Sequence, residues 1–395
     1  MKKRFLQLTC ALLSAVFLTA FVACGENIDL PRFPVYNYFN TSTDWKYISQ
    51  SEEIEKSTWK QISKMLNHVE ESISVSVEKS SVSKFNAADA GAKVQIDETA
   101  YTLFALAQEL YEKTDGAYNP AVGNLVDLWA FSPRFDYLTY EAKFPYDRVN
   151  PYKELPSVEY VEAFKTLSDF SQVQLLEEEG KYYAVKPDCK VEKDGYTYTM
   201  QLNLGGIGKG YAVDEADRII RAAGYEYGYF NLGGSSMSVL KNPSETAENN
   251  IWSIGVVNPR GTDLCEYSSF MAVKEKDIFL SSSGDYEQSY TYDGKRYSHI
   301  INPYTGYPVN AAPTDAEGGI ICASVFGLGS AAEGDATTTA LVVMGKEKAI
   351  SYIQENLMGV HALFVYDNGD GTYTLYTNME ESDYTLYAEM ETVKL

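Results

Sequence analysis

The sequence predicts an α+β fold, and three features of the chain support this class. Some segments repeat apolar residues at the spacing of one helix face, and other, shorter segments are typical of β-strands. The two kinds of segment do not alternate in the strict strand–helix–strand order of a parallel α/β sheet. With 395 residues the chain is long enough for one large domain or two moderate ones, and no repeat period appears.

The predicted elements follow one another along the chain after residue 50. Helices are predicted at residues 51–72 and 101–111, the first because its apolar residues form a single stripe. Residues 133–160 are rich in Pro, Tyr and charge, and are predicted to be an inserted loop. Strands are predicted at residues 252–257, 270–273, 278–282, 360–366 and 373–378, and a helix at 332–356.

The first 24 residues are predicted to be an export signal. A basic start, Met-Lys-Lys-Arg, is followed by an apolar run, and Ala23 precedes Cys24. The run is short and contains Thr and Ser, which argues against a permanent transmembrane helix. Phe21–Cys24 resembles a bacterial lipoprotein cleavage box, in which the cysteine carries the lipid; ordinary secretion is the alternative. In both cases we expect an extracytoplasmic protein, with residues 25–37 as a tether from a lipid-anchored Cys24 at the cell membrane.

The chain is strongly acidic, with a formal net charge of −22 that becomes −25 when the three basic residues of the signal are removed. Nucleic acid and anionic lipid are therefore not expected as partners, because such a surface repels both. A phosphate-bearing ligand would have to be held locally by backbone N–H groups, a metal ion or a few placed cations.

Three cysteines remain beyond the signal, Cys189, Cys265 and Cys322. Their wide spacing contains no C-x-x-C and indicates neither a zinc site nor a disulfide framework. We expect small apolar packing residues, with one bridged pair as the alternative.

A glycine-rich segment, Leu202–Asp214, is predicted to be a short strand, a turn and the start of a helix that ends at Gly224. Its glycines allow a ligand to approach the backbone, and a helix N-terminus beside Lys209 would form a cradle for phosphate or diphosphate. The spacing is not G-x-G-x-x-G, and no Ser or Thr follows Lys209, so neither a dinucleotide fold nor a Walker loop is indicated. A plain tight turn is the alternative.

The late helix opens with Glu333-Gly-Asp-Ala-Thr-Thr-Thr-Ala340. Asp335 and Thr339 are four residues apart, so their oxygens project from one helix face. A carboxylate and a hydroxyl are ligands that suit Mg²⁺. The alternative is that Asp335 caps the helix N-terminus and Thr339 bonds back to a helix carbonyl.

The most informative stretch runs from Ser283 to Pro308 and contains His299, one of three histidines in the chain. Asp293-Gly294 between strand-like flanks predicts a hairpin, and the Pro- and Gly-containing turns after His299 are expected to hold its backbone rigidly. A site is one interpretation, and an ordinary surface hairpin is the other.

Two further Gly-rich segments are candidate ligand contacts. Thr114–Gly123 precedes an apolar turn and could wrap an aromatic ligand or be a buried connection. Asn231–Gly234 lies at a predicted strand end, where a simple turn is the alternative.

In this order, the segments resemble the ApbE-type FAD:protein FMN transferases. The family's markers are a "DGAF-D-P-x-VG" loop, "L-D-L-GG-I-A-KG-YA-x-D", "N-x-GG", "SGDY…DG-K-x-Y-SHI-ID-P-x-TG-x-P" and "AD-A-x-x-TA". The matching residues are 115–123, 202–214, 231–234, 283–308 and 335–340, and residues 39–41 and 80–86 resemble upstream family segments. The resemblance implies a single T-fold-related domain at residues 38–395, with insertions at about 133–160 and 187–200.

The resemblance also implies a reaction and a set of site residues. FAD would be the substrate, Mg²⁺ the metal, and FMN would pass to a Ser or Thr hydroxyl of an acceptor protein with release of AMP. Asp335, Thr339 and the Gly208 carbonyl would bind the metal. His299 would be the general base or would orient the phosphate, and Asp285 would orient the site or act as the base. The residues expected to line the flavin nucleotide are Ala117, Tyr118, Asn119, Gly205, Lys209, Tyr211 and Ile301.

Several positions depart from the family pattern. Asn119, Asn203 and Asn302 stand where Asp is usual, and Ser235 replaces a frequent Asp. The alternatives are a metal-dependent FAD pyrophosphatase, in which water replaces the acceptor, and a flavin-binding lipoprotein without catalytic activity. The chain has no convincing acceptor segment, so we expect the acceptor to be another protein.

Overall fold

The computed structural model describes residues 36–39, 41–47, 51–131, 155–244, 248–313, 315 and 318–395. The predicted export signal with Cys24, and most of the predicted loop at 133–160, lie outside these ranges. Residues 36 and 37, the end of the predicted tether, already belong to a strand.

The helices within the described ranges are α1 Glu52–Ile73, α2 Ser81–Ala87, α3 Glu98–Lys113, α4 Gly123–Leu128, α5 Val158–Lys165, α6 Gly205–Ala222, α7 Ala331–Met344 and α8 Lys346–Asn356. The strands are β1 Tyr36–Tyr38, β2 Thr41–Tyr47, β3 Lys93–Ile96, β4 Gln174–Glu178, β5 Lys181–Val185, β6 Lys190–Lys193, β7 Tyr196–Thr199, β8 Gly228–Leu232, β9 Ser236–Val239, β10 Trp252–Val257, β11 Ser269–Glu275, β12 Ile278–Gly284, β13 Ser289–Tyr292, β14 Lys295–Ser298, β15 Gly319–Phe326, β16 His361–Asp367, β17 Tyr373–Thr377, β18 Tyr384–Leu386 and β19 Glu391–Lys394.

A nine-stranded sheet in the order β1-β2-β8-β9-β12-β15-β16-β17-β19 forms the centre of the fold. Its strand pairs are antiparallel except β17 with β19. Strand β16 shows how the sheet separates two cores. Ala362 and Phe364 face the core under the helices, and Leu363 and Val365 face the three-stranded sheet β10-β11-β18. This alternation, which follows from the two-residue period of a strand, gives three layers with the long sheet in the middle.

Helices α6 and α7 pack together at very short range. At Gly210 an added Cβ would lie 2.2 Å from the carbonyl oxygen of Ala331, so only glycine allows this approach. Asp214, one turn further along α6, caps α7: its carboxylate accepts hydrogen bonds from the backbone N–H of Ala331 at 2.6 Å and the hydroxyl of Ser330 at 2.7 Å. Burial raises the pKa of Asp214, and these bonds partly offset that effect.

Most predicted elements are confirmed, including the helices within α1 and α3 and the Asp293-Gly294 hairpin turn, where both residues have positive φ. The helix predicted at 332–356 is instead two helices, because Gly345 with φ 75° breaks it.

The three cysteines Cys189, Cys265 and Cys322 are free, so the alternative of a bridged pair is wrong. Asn231 and Leu232 end β8, and Gly233 and Gly234, both with positive φ, form a simple turn after it.

The strand predicted at Leu202 is wrong. Leu202 belongs to no strand. Its backbone pairs with a side chain instead, since Asn86 accepts from the Leu202 N–H at 2.7 Å and donates to the Leu202 carbonyl at 2.9 Å. The predicted turn at the glycines is also wrong, because residues 205, 206, 208 and 210 lie inside α6.

The two predicted insertions are not simply loops where the structure describes them. Helix α5 begins at Val158, with Ser157 as its N-cap, and residues 187–200 contain the hairpin β6–β7. The two pack on each other, as Phe164 and Tyr198 have ring centroids 4.8 Å apart. This aromatic contact fixes the hairpin β6–β7 against helix α5.

Replacing Gly210 with Ala should lower the free energy of unfolding by about 3 kcal/mol, because the new methyl would meet backbone atoms of α7 that cannot rotate away. Chemical denaturation measures this change. Gly329→Ala is the matched control, since an added Cβ there has no neighbour within 4 Å, and its effect should stay within about 0.5 kcal/mol. Equal effects of the two substitutions would show that the helix contact is not tight.

Candidate active site

The N-terminus of α6 is built from two segments that are distant in sequence. The Gly123 N–H donates to the Gln201 carbonyl at 3.0 Å, and the Asn203 N–H donates to the Pro120 carbonyl at 2.8 Å. These bonds fasten the loop that ends at Gly123 to the entry of α6. The loop at residues 114–123 and the glycine-rich segment at 202–214 are separate motifs in the sequence, and in the structure they form one wall of a site.

Asp335 lies inside α7, facing α6. It is 2% exposed, and its Oδ2 atom accepts a hydrogen bond from the Gly210 N–H at 3.2 Å. Burial is the largest influence on its carboxyl and raises the pKa, while Lys209 and the Gly210 N–H act in the opposite direction. The cost of burying this charged carboxylate is offset only by one hydrogen bond and the Lys209 charge, so a bound cation would stabilise it.

The alternative prediction that Asp335 caps α7 is wrong. The N-cap is Ser330, whose side chain accepts from the Glu333 N–H. The accompanying prediction that Thr339 bonds back to a helix carbonyl is confirmed, because its hydroxyl donates to the Asp335 carbonyl at 3.0 Å. The same hydroxyl lies 3.2 Å from the Ser283 hydroxyl on β12. Thr339 is thus held in place with an oxygen lone pair still available to a ligand.

Gly206 marks the point where α6, α7 and the Thr114–Gly123 loop meet. A Cβ at this position would lie 3.4 Å from both Thr339 Oγ1 and Tyr118 Cε2. Tyr118 is 3% exposed, and its hydroxyl has no hydrogen-bond partner in the described part of the chain. Burial, followed by the Asp335 charge, raises the pKa of Tyr118 well above its usual value.

The donor set around Asp335 fits Mg²⁺. Within the described ranges no group of three or more His, Cys, Asp or Glu side chains could hold a metal. A cation here would be bound by the Asp335 carboxylate and the Thr339 hydroxyl, with the rest of its shell from backbone, water or ligand oxygens, as Mg²⁺ commonly is. Gly208 packs against α1: an added Cβ would lie 2.6 Å from Ile73 Cδ1, so Ile73 fills the space that an alanine methyl would occupy.

His299 follows strand β14 and is anchored by one carbonyl. Its backbone N–H donates to the Gln288 carbonyl at 2.9 Å, and its Nδ1 lies 3.3 Å from the same oxygen. The tautomer with a proton on Nδ1 satisfies this contact and leaves the lone pair on Nε2. Burial is the larger cause, and Lys209 the second, of a pKa of about 4, so the ring is neutral at neutral pH.

Asp285 is bound to arginine rather than free in the site. It is 4% exposed, and its two oxygens accept hydrogen bonds at 2.7 Å and 2.8 Å from the two terminal nitrogens of Arg260. Arg296, on the strand before His299, lies 3.8 Å from the same carboxylate. Of the two roles expected for Asp285, the geometry supports orientation and not proton transfer, because both oxygens are engaged by a guanidinium.

Arg260 was not predicted as a site residue. It lies in the loop after β10, 25 residues before Asp285, and an isolated arginine belongs to no motif. Ser283 begins the motif that ends at Pro308, but its own contact was not predicted either. No sequence signal connects it with Thr339, because β12 and α7 meet only in the folded chain.

The predicted flavin-lining residues separate into two groups. Lys209 and Gly205 lie together at the start of α6, where Lys209 Nζ donates to the Gly205 carbonyl at 3.1 Å, and Ala117 adjoins Tyr118. Tyr211 is half-buried and, two residues after Lys209, lies on a different side of α6. The side chains of Asn119 and Ile301 are used by the fold instead. Asn119 donates to the Ser168 carbonyl and Ile301 packs in an apolar cluster, so only their backbones remain for a ligand.

The Asp-to-Asn departures leave the local turns intact. In Asn119, Asn203 and Asn302 the side-chain oxygen accepts a backbone N–H from two residues later, at 2.8 to 2.9 Å. An aspartate can accept the same bond, so the replacements keep the geometry and remove three negative charges. A less negative site suits an anionic ligand.

Comparison with known proteins identifies the family. The ApbE family profile matches residues 39–364. The chain belongs to the ApbE family. Among its relatives are the FAD:protein FMN transferases of Treponema pallidum, 30% identical over 76% of this chain and 75% of the relative, and of Escherichia coli K12, 26% identical over 72% and 70%.

Solved ApbE structures share the fold. The ApbE protein of Thermotoga maritima is 26% identical, with a TM-score of 0.68 over 90% of this chain and 98% of the other. The flavin transferase ApbE of Vibrio cholerae, 23% identical, has a TM-score of 0.66 over 88% and 97%. These comparisons confirm the resemblance, the α+β class and the expectation of an enzyme of the flavin transferase family.

The histidine pKa values can be read separately by NMR, because the chain has only three histidines. His299 should titrate at about pH 4, and His361, whose pKa is raised by its hydrogen bond to Glu275, above the usual 6.5. In Lys209→Met the His299 pKa should rise, since a repelling cation is gone, while the His361 value serves as the internal control. An unperturbed His299 pKa would contradict both the burial of the ring and the influence of the Lys209 charge.

Proposed function

We propose that this protein transfers FMN from FAD to a Ser or Thr hydroxyl of an acceptor protein in an Mg²⁺-dependent reaction that releases AMP. The observation that carries the proposal is the buried Asp335 carboxylate of α7, which lies beside Thr339 and accepts a hydrogen bond from Gly210 in the glycine-rich first half of α6. Lys209, in the same part of α6, lowers the pKa of both Asp335 and His299. Cation ligands, a diphosphate cradle and a neutral base are the groups that phosphoryl transfer needs.

The residues of the chain have distinct roles in this reaction. Bound Mg²⁺ would supply positive charge to the diphosphate, with Asp335, Thr339 and the Gly208 carbonyl as its protein ligands. The start of α6 would bind phosphate oxygens through backbone N–H groups, and Lys209 would add a charge. The acceptor oxygen forms a bond to the FMN phosphorus as the bond to the AMP oxygen breaks, and the hydroxyl proton passes to Nε2 of His299.

The predicted N-terminal export signal supports a location for the reaction outside the cytoplasm. The predicted lipid on Cys24 would anchor the protein to the outer side of the bacterial cell membrane, and exported or membrane-bound proteins would be the acceptors. None of the helices in the described ranges has the length and hydropathy that a membrane span requires.

The direct test incubates the mature chain in detergent with FAD, Mg²⁺ and a candidate acceptor, followed by denaturing electrophoresis. A fluorescent acceptor band that requires Mg²⁺ is the expected result. FMN and AMP in solution without a band would replace the transferase with a pyrophosphatase. Bound but intact FAD with every acceptor tried would indicate a flavin-binding protein.

Asp335→Asn should reduce Mg²⁺-dependent turnover about 100-fold or more, because the charged metal ligand is lost. The melting temperature of the metal-free variant shows whether the substitution has unfolded the protein. Since burial raises the Asp335 pKa, its ionised form opposes folding near neutral pH, and the substitution should leave the metal-free melting temperature unchanged or higher. Unchanged turnover in this variant would remove Asp335 from the metal site.

His299→Ala should slow FMN transfer by about 10² to 10⁴-fold, the usual contribution of a general base, with little change in the dissociation constant for FAD. Both quantities are measured on the same preparation. If the substitution weakens FAD binding and leaves the rate at saturating FAD intact, His299 is a ligand contact and not the base.

A further inference from the structure

The hairpin β13–β14, which leads into His299, lies inside a stack of aromatic rings. Four rings are stacked with centroid distances of 5.4, 5.4 and 5.6 Å and angles of 19°, 16° and 18° between neighbouring planes, in the order Phe131, Tyr290, Tyr297 and Trp129. Tyr290 and Tyr297 are paired across the hairpin. The hairpin is therefore held between Trp129 and Phe131, which we call the aromatic clamp.

The backbone after α4 places the two rings of the aromatic clamp at opposite ends of the stack. Ala130, the residue between them, has φ 62°, in the left-handed region that favours glycine. The Ala130 N–H donates to the Asp127 carbonyl at 3.0 Å, and the Phe131 N–H donates to the Val126 carbonyl at 3.0 Å. An alanine in this conformation is strained, and such strain persists where the surrounding contacts impose it, most often near functional sites.

Trp129 also contacts the chain on the far side of His299. Its side chain is 0% exposed, and its indole Nε1 donates a hydrogen bond to the Gly306 carbonyl at 2.8 Å. Gly306 closes the turn that follows His299, since its N–H donates to the Asn302 carbonyl at 2.8 Å. Trp129 thus fixes the chain before His299 through Tyr297 and after it through Gly306.

The His299 ring needs such support, because its own contact is weak. Its Nδ1 lies 3.3 Å from the Gln288 carbonyl, which is longer than a normal hydrogen bond. The direction of the ring consequently depends on where the backbone on both sides of it is held. A base must lie within about 0.5 Å of its productive position, and a displacement of about 1 Å can slow a reaction about 100-fold.

We propose that Trp129 is a positioning residue for His299, because its stack with Tyr297 and its hydrogen bond to Gly306 together fix the direction of the imidazole. This inference rests on the proposed function, in which Nε2 of His299 takes the proton of the acceptor hydroxyl. Since Trp129 is 0% exposed, it acts through the histidine and not by contact with a substrate.

Trp129→Phe tests the proposal, because it removes the indole N–H and weakens the stack. Transfer at saturating FAD and acceptor should be about 10- to 100-fold slower, with an unchanged dissociation constant for FAD. In the His299→Ala background the substitution should cause no further loss, since the group that it positions is gone. Tyr297→Leu, which removes the stack and keeps the indole N–H, should show the same pattern and replaces Trp129→Phe if that variant does not fold.

Trp252→Phe is the matched control. Trp252 on β10 is 9% exposed, and its indole Nε1 donates to the Leu240 carbonyl at 3.0 Å, so the substitution removes the same kind of bond in the other core. Both Trp variants should lower the melting temperature, and only Trp129→Phe should slow transfer. An equal loss of rate in both, or a further loss from Trp129→Phe in the His299→Ala background, would overturn the inference.

The NMR signals of the His299 ring report its position without any turnover. They should shift in Trp129→Phe and not in Trp252→Phe, while the signals of His68 and His361 stay unchanged in Trp129→Phe. Unchanged His299 signals in Trp129→Phe would overturn the inference and leave the transferase proposal intact. If the signals shift as expected but the native protein transfers no FMN, the transferase proposal is overturned and the dependence of the His299 position on Trp129 is supported.

Discussion

The contact between α6 and α7 is the constraint on which the site depends. Gly210 lets the helices approach to backbone contact, and Asp214 caps α7 from α6, so neither helix can slide or rotate separately. Asp335 is one turn into α7, and the one hydrogen bond that its carboxylate accepts within the described ranges comes from Gly210 itself. The residue that permits the close contact therefore also holds the candidate metal ligand, and helix packing and site geometry cannot be changed independently.

A second group of contacts brings His299 to these helices. Asp285 directly follows β12 and binds Arg260 from the loop after β10, with Arg296 of the hairpin close by. Gln288, three residues after Asp285, holds His299 through its carbonyl. A buried ion pair of this kind contributes little net stability, but it specifies how three separate pieces meet, which is the property that a site needs.

The electrostatics of the site are arranged around Lys209. Its charge lowers the pKa of both Asp335 and His299. For Asp335 this opposes the effect of burial and favours the ionised carboxylate that a cation requires. For His299 it adds to the effect of burial and favours the neutral ring that a base requires. One cation on the first turns of α6 thus supports two groups with opposite needs.

The amino-acid sequence by itself determined the α+β class, most helices and strands, the hairpin turn and the family, because these depend on local periodicity, turn residues and ordered motifs. It also indicated Asp335, Thr339 and His299 as candidates. Only the tertiary structure decided that the side chains of Asn119 and Ile301 are used by the fold and that Asp285 is paired with Arg260. It also buries the Tyr118 hydroxyl with no hydrogen-bond partner among the described residues. These outcomes depend on contacts between residues that are far apart in the chain. Such contacts decide which hydrogen-bond partner a side chain has and how far it is removed from water, and they leave no local pattern in the sequence.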